Sequence, residues 1–561
     1  MADASEDRPT TPTARLRRAL LAHGWLLVVA LAAVVRFATL GAESLWTDEL
    51  ITLDFVTANG PLELLWVIPL NQPHLPVYYV LLDLWTALAG TSEAALRFPS
   101  AVFGVAAVAA LYALGTTLFD RRVGLLAATV LALSRFHVYH SQEVRMYSLL
   151  TLLTVVSYLL LVRVRDGDDR RDRVGYLFVT LALLYTHPFA LFVVAAQGTY
   201  LLGRWLHREG WPPTVPPRWR LPALGVTLAV APLLVGALLR GRSATYSYIP
   251  PPTPRQVVGA IAEHVGYAGA PRWVLFAGLA LSGAVVAVGL VDARGAFGRW
   301  RGARGSATTL AATVRRLLPR DGESENTALV LLWFLGPLLV PVVVSYLVTP
   351  VFWPRYTIAA SPALFVLMAK GVRDIPRPPL RAVVALLLVC SLLPGVVQYH
   401  TTTQKEEWDE VGATLDERAE AGDFVLVADR ITRRGVDHYS ARAGEDLVVR
   451  DVIAVDSGTG YAPTPNETIR EMVEGRDRVW VVFSHITEDD RERVLDHVER
   501  DHTRTWERSF VGIDLYLYER APEAQSVETV DAAGSDRQGT PTRAPSNRVM
   551  ARPPTPASAS P

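Results

Sequence analysis

The stretch LAHGWLLVVALAAVVRFATLGAESLWTDEL, residues 21–50, joins an apolar run to two adjacent carboxylates, Asp48 and Glu49. Residues 21–40 are apolar over a length that lets a helix cross a bilayer. The two carboxylates therefore stand where the chain leaves the hydrocarbon. A carboxylate at this position can be a solvated flank, a helix cap or a reactive group at the mouth of a membrane cavity.

Apolar runs of this kind recur in a chain of 561 residues that is 50% hydrophobic and has a mean hydropathy of +0.23. Such a composition excludes a single soluble domain. We predict eleven membrane spans, at 21–40, 98–118, 123–138, 147–162, 174–187, 188–203, 221–239, 272–291, 328–347, 358–371 and 382–398. Arginine-rich loops such as 15–18 and 163–173 predict a cytoplasmic N-terminus by the positive-inside rule.

An odd number of spans predicts that the chain after the last span lies outside. Segment 401–520 has 16 basic and 28 acidic residues, a net charge of −12. Strand-like runs alternate there with helical patterns, which predicts an α/β domain with a largely parallel sheet. The predicted fold class is thus a mostly α polytopic membrane protein of the cell membrane with a C-terminal extracytoplasmic α/β domain. We divide the chain into a cytoplasmic tail (1–18), a membrane domain (19–400) with a long first external loop (42–97), the α/β domain (401–520) and a disordered tail (521–561).

The only cysteine, Cys390, lies in the last predicted span. It allows no internal disulfide and no cysteine-based metal site. His140 and His187 could join Asp48 and Glu49 as metal ligands only from distant parts of the sequence, and they do not form a short His-x-x-His pair with each other. We therefore predict no metal and no cofactor. The excess of Arg over Lys and the acidic external domain are typical of salt-loving microbes, so we expect an archaeal source.

Ionisable and aromatic side chains collect in the predicted external loops. Arg145 and Arg355 stand out because the positive-inside rule disfavours arginine there. A guanidinium fork can grip a phosphate with two parallel hydrogen bonds, and a phosphate at the outer membrane surface indicates a lipid phosphate. The same loops also hold His74, Tyr78, Glu143, His187 and Tyr356.

The ordered segments WTDEL, NQPHLPVYY, SEAALRFPSAVFG, HSQEVRMYSL, YTHPFAL and PRYTIAASPAL resemble the membrane-embedded GT-C glycosyltransferases. The resemblance spans about residues 20–400 and is strongest to the protein-mannosyltransferase-like (family 39-like) group, which uses polyprenyl- or dolichyl-phosphate sugars. It implies transfer of a sugar, mannose by default, to an extracytoplasmic protein, lipid or glycan acceptor. The implied partners are this lipid-linked donor, the acceptor and membrane lipids, with no nucleic acid.

Within this resemblance, Asp48 is the expected general base of an inverting displacement. A lipid phosphate departs without strong acid help, so deprotonating the acceptor hydroxyl is the remaining task. Adjacent helical residues point about 100° apart, so we expect Glu49 to orient the acceptor, the base or a nearby arginine. The alternative for Asp48 is a helix cap.

The resemblance implies that Arg355 and Arg145 bind the donor phosphate; the alternative is that both side chains reach towards headgroups from helix ends. The further substrate-binding candidates are His74, Tyr78, Glu143, His187 and Tyr356. Arg36, inside the first span, either pairs with an acid of a neighbouring helix or reaches groups on the cytoplasmic side. The competing function is a transporter or lipid-linked-sugar flippase, which matched broken spans in two related halves would favour.

Overall fold

The computed structural model describes residues 12–71, 75–209, 215–240, 249–266, 272–290, 322–456, 460–463 and 465–521. The sequence candidate His74 lies outside these residues. So do the first eleven residues of the predicted cytoplasmic tail and all but the first residue of the predicted disordered C-terminal tail.

Among the described residues up to residue 401, the regular elements are all helices. They are α1 (Pro12–Phe37), α2 (Thr47–Ala58), α3 (Pro61–Asn71), α4 (Val77–Ala89), α5 (Glu93–Leu118), α6 (Arg121–Leu133), α7 (Arg135–Ser141), α8 (Tyr147–Asp166), α9 (Arg170–Leu184), α10 (Ala190–Glu209), α11 (Pro217–Arg240), α12 (Pro254–Val265), α13 (Arg272–Gly289), α14 (Gly322–Leu347), a 3₁₀ helix (Pro354–Ala360), α15 (Ser361–Arg373) and α16 (Pro378–Thr401). Each predicted span contains most of one of these helices.

Among the described residues, six helices are long and apolar enough to cross a membrane: α5, α8, α11, α13, α14 and α16. The bent pair α6 and α7 would be a seventh, and α1 and α4 contain shorter apolar helices. The membrane character of the protein is therefore confirmed. The count of eleven spans stays a prediction, because α1, α9, α10 and α15 do not meet the same test.

The bend between α6 and α7 is 63° and falls at Ser134. A break inside a membrane frees backbone carbonyls that have no water to bond. Arg36 of α1 fills this need: its guanidinium donates to the carbonyls of Leu131 and Ala132, each at 3.0 Å, and to the Ser141 hydroxyl at 3.1 Å. Neither role considered for Arg36 from the sequence applies, since in the described part of the chain its guanidinium bonds carbonyls and a hydroxyl at this bend and pairs with no acid.

The C-terminal part is an α/β unit with a six-stranded sheet in the order β3-β2-β1-β4-β6-β5. Its elements are α17 (Trp408–Arg418), β1 (Phe424–Asp429), α18 (Arg430–Tyr439), β2 (Val448–Asp456), β3 (Gly460–Pro463), α19 (Asn466–Val473), β4 (Arg478–Phe483), α20 (Glu488–Val498), β5 (His502–Phe510) and β6 (Ile513–Arg520). The α/β fold class is confirmed.

The prediction of a largely parallel sheet is wrong. Only β1 pairs in parallel, with β2 and β4, whereas β2–β3, β4–β6 and β5–β6 are antiparallel. The last pair is a hairpin closed by the two-residue loop Val511–Gly512, with Gly512 at φ 75°. Tight loops of this kind join antiparallel strands, since a parallel pair needs a long crossover.

Membrane helices and sheet lie in one compact unit that ends at Arg520. The contact runs through α18, which packs against α2, the helix that carries Asp48 and Glu49. The α/β part is thus placed directly beside the helix that carries these two carboxylates.

Candidate active site

Asp48 is the second residue of α2, and its carboxylate faces two arginines from distant parts of the chain. Its Oδ2 atom lies 3.3 Å from Nη1 of Arg355 and 3.9 Å from Nη2 of Arg145. The side chain is 21% exposed, so it is neither solvated nor sealed. The positive end of α2 adds further stabilisation to a negative charge at this point.

The helix-cap alternative for Asp48 is wrong. The N-cap position is Trp46, and Oδ2 of Asp48 has no hydrogen-bond partner among the described residues. Other carboxylates accept the N–H groups at the start of α2. The Trp46 N–H donates to the Glu49 carboxylate at 3.3 Å, and the Thr47 N–H donates to the Glu406 carboxylate at 3.1 Å. The Asp48 carboxylate is thereby left available for a ligand.

Arg355 enters the site from the 3₁₀ helix that follows α14. Its guanidinium carbon lies 5.7 Å from the ring centre of Trp46, 6.0 Å from that of Trp353 and 5.8 Å from that of Tyr356. These aromatic faces hold the cation in place, as cation–π contacts do. The Asp48 and Tyr147 neighbours raise the pKa of Arg355 despite the opposing effect of burial, so the group is a permanent cation.

Arg145 is anchored from the loop between α7 and α8. It donates to the backbone carbonyl of Asp48 at 3.2 Å and to the Thr52 hydroxyl at 3.1 Å, and its side chain is 4% exposed. Burial opposes its charge, but the nearby Asp48 carboxylate raises the pKa of Arg145 above its usual value. A cation fixed so deeply contradicts the alternative in which Arg145 only reaches towards headgroups.

Several buried polar atoms of this region have no hydrogen-bond partner in the described part of the chain. Besides Oδ2 of Asp48, they are Nε1 of Trp46, Oε1 of Glu143, the Tyr147 hydroxyl and Nε of Arg355. Leaving a buried polar group unpaired costs about 1–3 kcal/mol. Since native proteins pair nearly all such groups, a cluster of them indicates a site built for a polar ligand.

Glu49 has the opposite surroundings and is completely buried. It forms ion pairs with Arg97 at 2.7 Å and Lys405 at 3.0 Å, and it accepts the Val144 N–H at 2.8 Å. Burial alone would raise the pKa of Glu49, but Arg97 and Lys405 lower it to about 2. Glu49 therefore holds α2, α5, the α7–α8 loop and the segment after α16 together. That it orients the acceptor, the base or a nearby arginine stays a prediction.

His187 and Tyr356 line the same region, with ring centres 5.4 Å apart. The Phe189 N–H donates to Nδ1 of His187 at 3.1 Å. In this position the ring can serve a site as a hydrogen-bonding or packing group.

The other sequence candidates differ in their position. Glu143 bonds Nδ1 of His140 at 2.6 Å through one carboxylate oxygen, while the other oxygen is one of the unpaired atoms. Tyr78 is directed to the Ser100 hydroxyl at 3.0 Å and not to either arginine. Its neighbour Tyr79 contacts Thr52 instead, beside Arg145.

Sequence reasoning did not assign roles to Trp46, Tyr79, Tyr147 or Lys405. Trp46 and Tyr147 are aromatic neighbours of charged motif residues, and aromatic residues beside an external arginine were a usable signal. Tyr78 and Tyr79 point about 100° apart around α4, and the sequence does not fix which of the two faces Arg145. For Lys405, nothing in its acidic surroundings pointed to a buried partner.

Among the described residues, no group of three His, Cys, Asp or Glu side chains could hold a metal ion. The absence of a metal requirement stays a prediction.

Comparison with known proteins bears on the fold. A family model described as dolichyl-phosphate-mannose-protein mannosyltransferase matches residues 71–234. The crystal structure of ArnT from Cupriavidus metallidurans in the apo state matches with a TM-score of 0.52 and 12% identity, over 88% of this chain and 98% of that one. The chain has the GT-C fold. Together, the family model and this fold support a role as a membrane glycosyltransferase.

Two further solved structures match the chain with lower TM-scores. ArnT bound to undecaprenyl phosphate matches over the same shares of both chains, with a TM-score of 0.50 and 12% identity. The oligosaccharyltransferase AglB from Archaeoglobus fulgidus, in complex with an inhibitory peptide and a dolichol-phosphate, has a TM-score of 0.43 and 12% identity over 89% of this chain and 74% of that one. No curated protein matches the sequence. Asp48 and Arg355 fall outside the matched residues 71–234, so their roles rest on geometry.

Proposed function

We propose that this protein transfers a sugar from a polyprenyl- or dolichyl-phosphate carrier to an extracytoplasmic acceptor, with Asp48 as the general base of an inverting displacement. The observation that carries the proposal is the position of Asp48 Oδ2, which has no hydrogen-bond partner among the described residues and lies 3.3 Å from Arg355 and 3.9 Å from Arg145 in a partly closed polar site. This site combines a proton acceptor with two cations that can bind a phosphate.

The phosphate of the donor is bound by Arg355 and Arg145. Arginine forks match the oxygens of a phosphate, and a pair of cations stabilises the charge that develops on the leaving group. The Tyr147 hydroxyl, buried without a partner in the described part of the chain, supplies a further donor. Tyr356 and His187 form the wall beside this phosphate subsite.

In the reaction, an acceptor hydroxyl oxygen attacks the anomeric carbon of the sugar. The new oxygen–carbon bond forms as the bond from that carbon to the phosphate oxygen breaks, and the electron pair leaves with the lipid phosphate. The hydroxyl proton passes to the Asp48 carboxylate. Because the attack comes from the face opposite the leaving phosphate, the configuration at the anomeric carbon inverts.

Mannose is the proposed sugar, since the matched family model is described by dolichyl-phosphate-mannose. The acceptor carries a hydroxyl group in this scheme, which a protein side chain, a lipid or a glycan can supply. The proposed orientation places the N-terminus in the cytoplasm and the active site with the α/β part outside the cell membrane.

The test uses the purified full chain in proteoliposomes with labelled dolichyl-phosphate mannose, the glucose analogue and three acceptor types: serine- and threonine-containing peptides, lipids and lipid-linked glycans. We expect label on one acceptor type, release of an equal amount of dolichyl phosphate and an inverted anomeric configuration by NMR. Movement of intact donor across the bilayer with no release of dolichyl phosphate would instead identify a flippase.

A further inference from the structure

The Glu406 carboxylate lies between α2 and the α/β part, and it accepts hydrogen bonds from both. From α2, the Thr47 N–H donates to Oε2 at 3.1 Å and the Thr47 hydroxyl at 2.8 Å. From the α/β side, Nε1 of Trp408 donates to Oε2 at 2.6 Å and the His485 ring bonds Oε1. Glu406 is 6% exposed, so these contacts are largely shielded from water.

The neighbouring contacts strengthen the same connection. The Ser44 hydroxyl donates to the backbone carbonyl of Glu406 at 2.6 Å and accepts the Trp408 N–H at 3.1 Å. Lys405, one residue earlier, forms the 3.0 Å ion pair with Glu49. The segment between α16 and α17 is therefore bound side by side with the residues that open α2.

His485 provides an independent indication that this contact matters. Its backbone φ is 54°, a left-handed conformation that residues other than glycine rarely adopt. Its bond to Glu406 raises the pKa of His485 above its usual value, while burial works in the opposite direction. A strained residue held against one carboxylate indicates a contact that the fold maintains at a cost.

We propose that Glu406 is a positioning residue for Asp48. The first N–H groups of a helix have no partner within the helix, so the group that binds them fixes where the helix begins and how it is aimed. By holding Thr47 through two bonds, Glu406 fixes the residue immediately before Asp48 and hence the approach of the base to Arg355. This inference rests on the proposed role of Asp48, and it assigns the α/β part a task in the chemical step.

The test compares Glu406→Ala and Glu406→Gln with Glu410→Ala in the transfer assay. Glu410 is the matched control, because it is an exposed glutamate on α17 that pairs with Arg508 inside the α/β part. We expect Glu406→Ala to lower kcat by roughly 10- to 100-fold with little change in the donor KM, since a small displacement of a catalytic group has effects of this size. Glu406→Gln should recover part of the loss, because its amide oxygen can still accept from Thr47.

A purely structural role gives a different pattern. It predicts a lower melting temperature for both Glu406 variants with kcat per folded molecule equal to that of the Glu410→Ala control, and this result would overturn the inference. If Asp48→Asn is inactive while a folded Glu406→Ala keeps wild-type kcat, the positioning role alone fails. If Asp48→Asn is fully active, the proposed function itself fails.

Thr47→Val is a second test of the positioning role, and it leaves the Glu406 carboxylate in place. It deletes the hydroxyl bond to Glu406 and keeps the backbone bond. Groups that act through one another give non-additive effects, so Thr47→Val should lower kcat in the wild type and add little in the Glu406→Ala background. Fully additive losses would contradict action through Thr47.

Discussion

Asp48 and Glu49 are adjacent carboxylates with opposite surroundings. One is partly exposed and unpaired apart from its approach to two arginines, whereas the other is fully buried between Arg97 and Lys405. Because they point about 100° apart on α2, one can face a substrate while the other faces the protein interior. We therefore propose that Asp48 acts in the chemical step and that Glu49 stabilises the fold, and variants at each residue test this division.

For Glu49, the prediction concerns stability. Glu49→Ala leaves two buried cations without their partner and should cost about 3–5 kcal/mol, the usual loss when one member of a buried ion pair is removed. Asp48→Asn is the matched control and should melt close to the wild type. Thermal unfolding of both purified variants measures this, and a Glu49→Ala protein as stable as the control would refute the structural role.

The same carboxyl predicts a pH dependence. Its pKa falls from 4.5 to about 2 on folding, so its contribution is complete above pH 4.5 and is lost as the pH falls through about 2. The difference in melting temperature between the wild type and Glu49→Gln should therefore shrink as the pH is lowered across this window. A difference that stays constant would show that Glu49 is not a buried, ion-paired carboxylate.

Arg355 gives a prediction about donor binding. Arg355→Ala removes a charge-assisted phosphate contact worth about 1.5–3 kcal/mol, which raises the donor KM roughly tenfold or more. Arg355→Lys should recover only part, because an ammonium lacks the planar fork. Arg508→Ala, at an exposed pair with Glu410, is the control. Wild-type KM and kcat in both Arg355 variants would leave Arg355 as an interfacial anchor.

At the scale of helices, the bend between α6 and α7 depends on Arg36. Arg36→Met leaves the carbonyls of Leu131 and Ala132 without their donor, at about 1–3 kcal/mol for each unsatisfied group. We expect a clear fall in melting temperature. Arg163→Met, at a side chain that is 51% exposed, is the control and should have little effect. Equal melting temperatures for the two variants would contradict this account of the bend.

The helices were largely predictable from the sequence, because a membrane requires long apolar runs and each run contains a helix. The sheet was less so. Strand β5, HTRTWERSF, is mostly polar and is buried only at its first and last residues, and β3 has only four residues. Both lie at sheet edges, where the apolar pattern that identifies a strand is weakest. Missing these two edge strands turned a mixed sheet into a predicted parallel one.

For the site, the sequence predicted the residue types and the membrane face on which they would meet. Asp48, Arg145 and Arg355 do converge, although more than two hundred residues separate Arg145 from Arg355. The ion cluster of Glu49 could not be predicted, because Lys405 reaches it from the start of a distant segment whose net charge is negative. Pairings between segments far apart in sequence leave no local pattern, and the contact of Glu406 with Thr47 was missed for this reason.

For the whole molecule, the proposed orientation can be tested with single cysteines. In a Cys390→Ser background, Glu445→Cys in the α/β part should react with a membrane-impermeant maleimide on intact cells. Asp168→Cys, in the arginine-rich loop between α8 and α9, should react only after the membrane is opened. Both positions are exposed in the structure, so access to the reagent decides the result. The reverse pattern would invert the orientation.

The central claim is that Asp48 takes the acceptor proton. The most direct measurement is single-turnover transfer from labelled lipid-phosphate sugar by wild type and Asp48→Asn, with donor binding measured on the same preparations. Asn has nearly the size of Asp and cannot accept the proton, so the rate should fall by roughly 10²–10⁴, the range that general-base catalysis supplies. Donor affinity should hold or rise slightly, because a negative charge beside the phosphate is removed. A stable Asp48→Asn protein that binds donor and transfers sugar at the wild-type rate would contradict the claim.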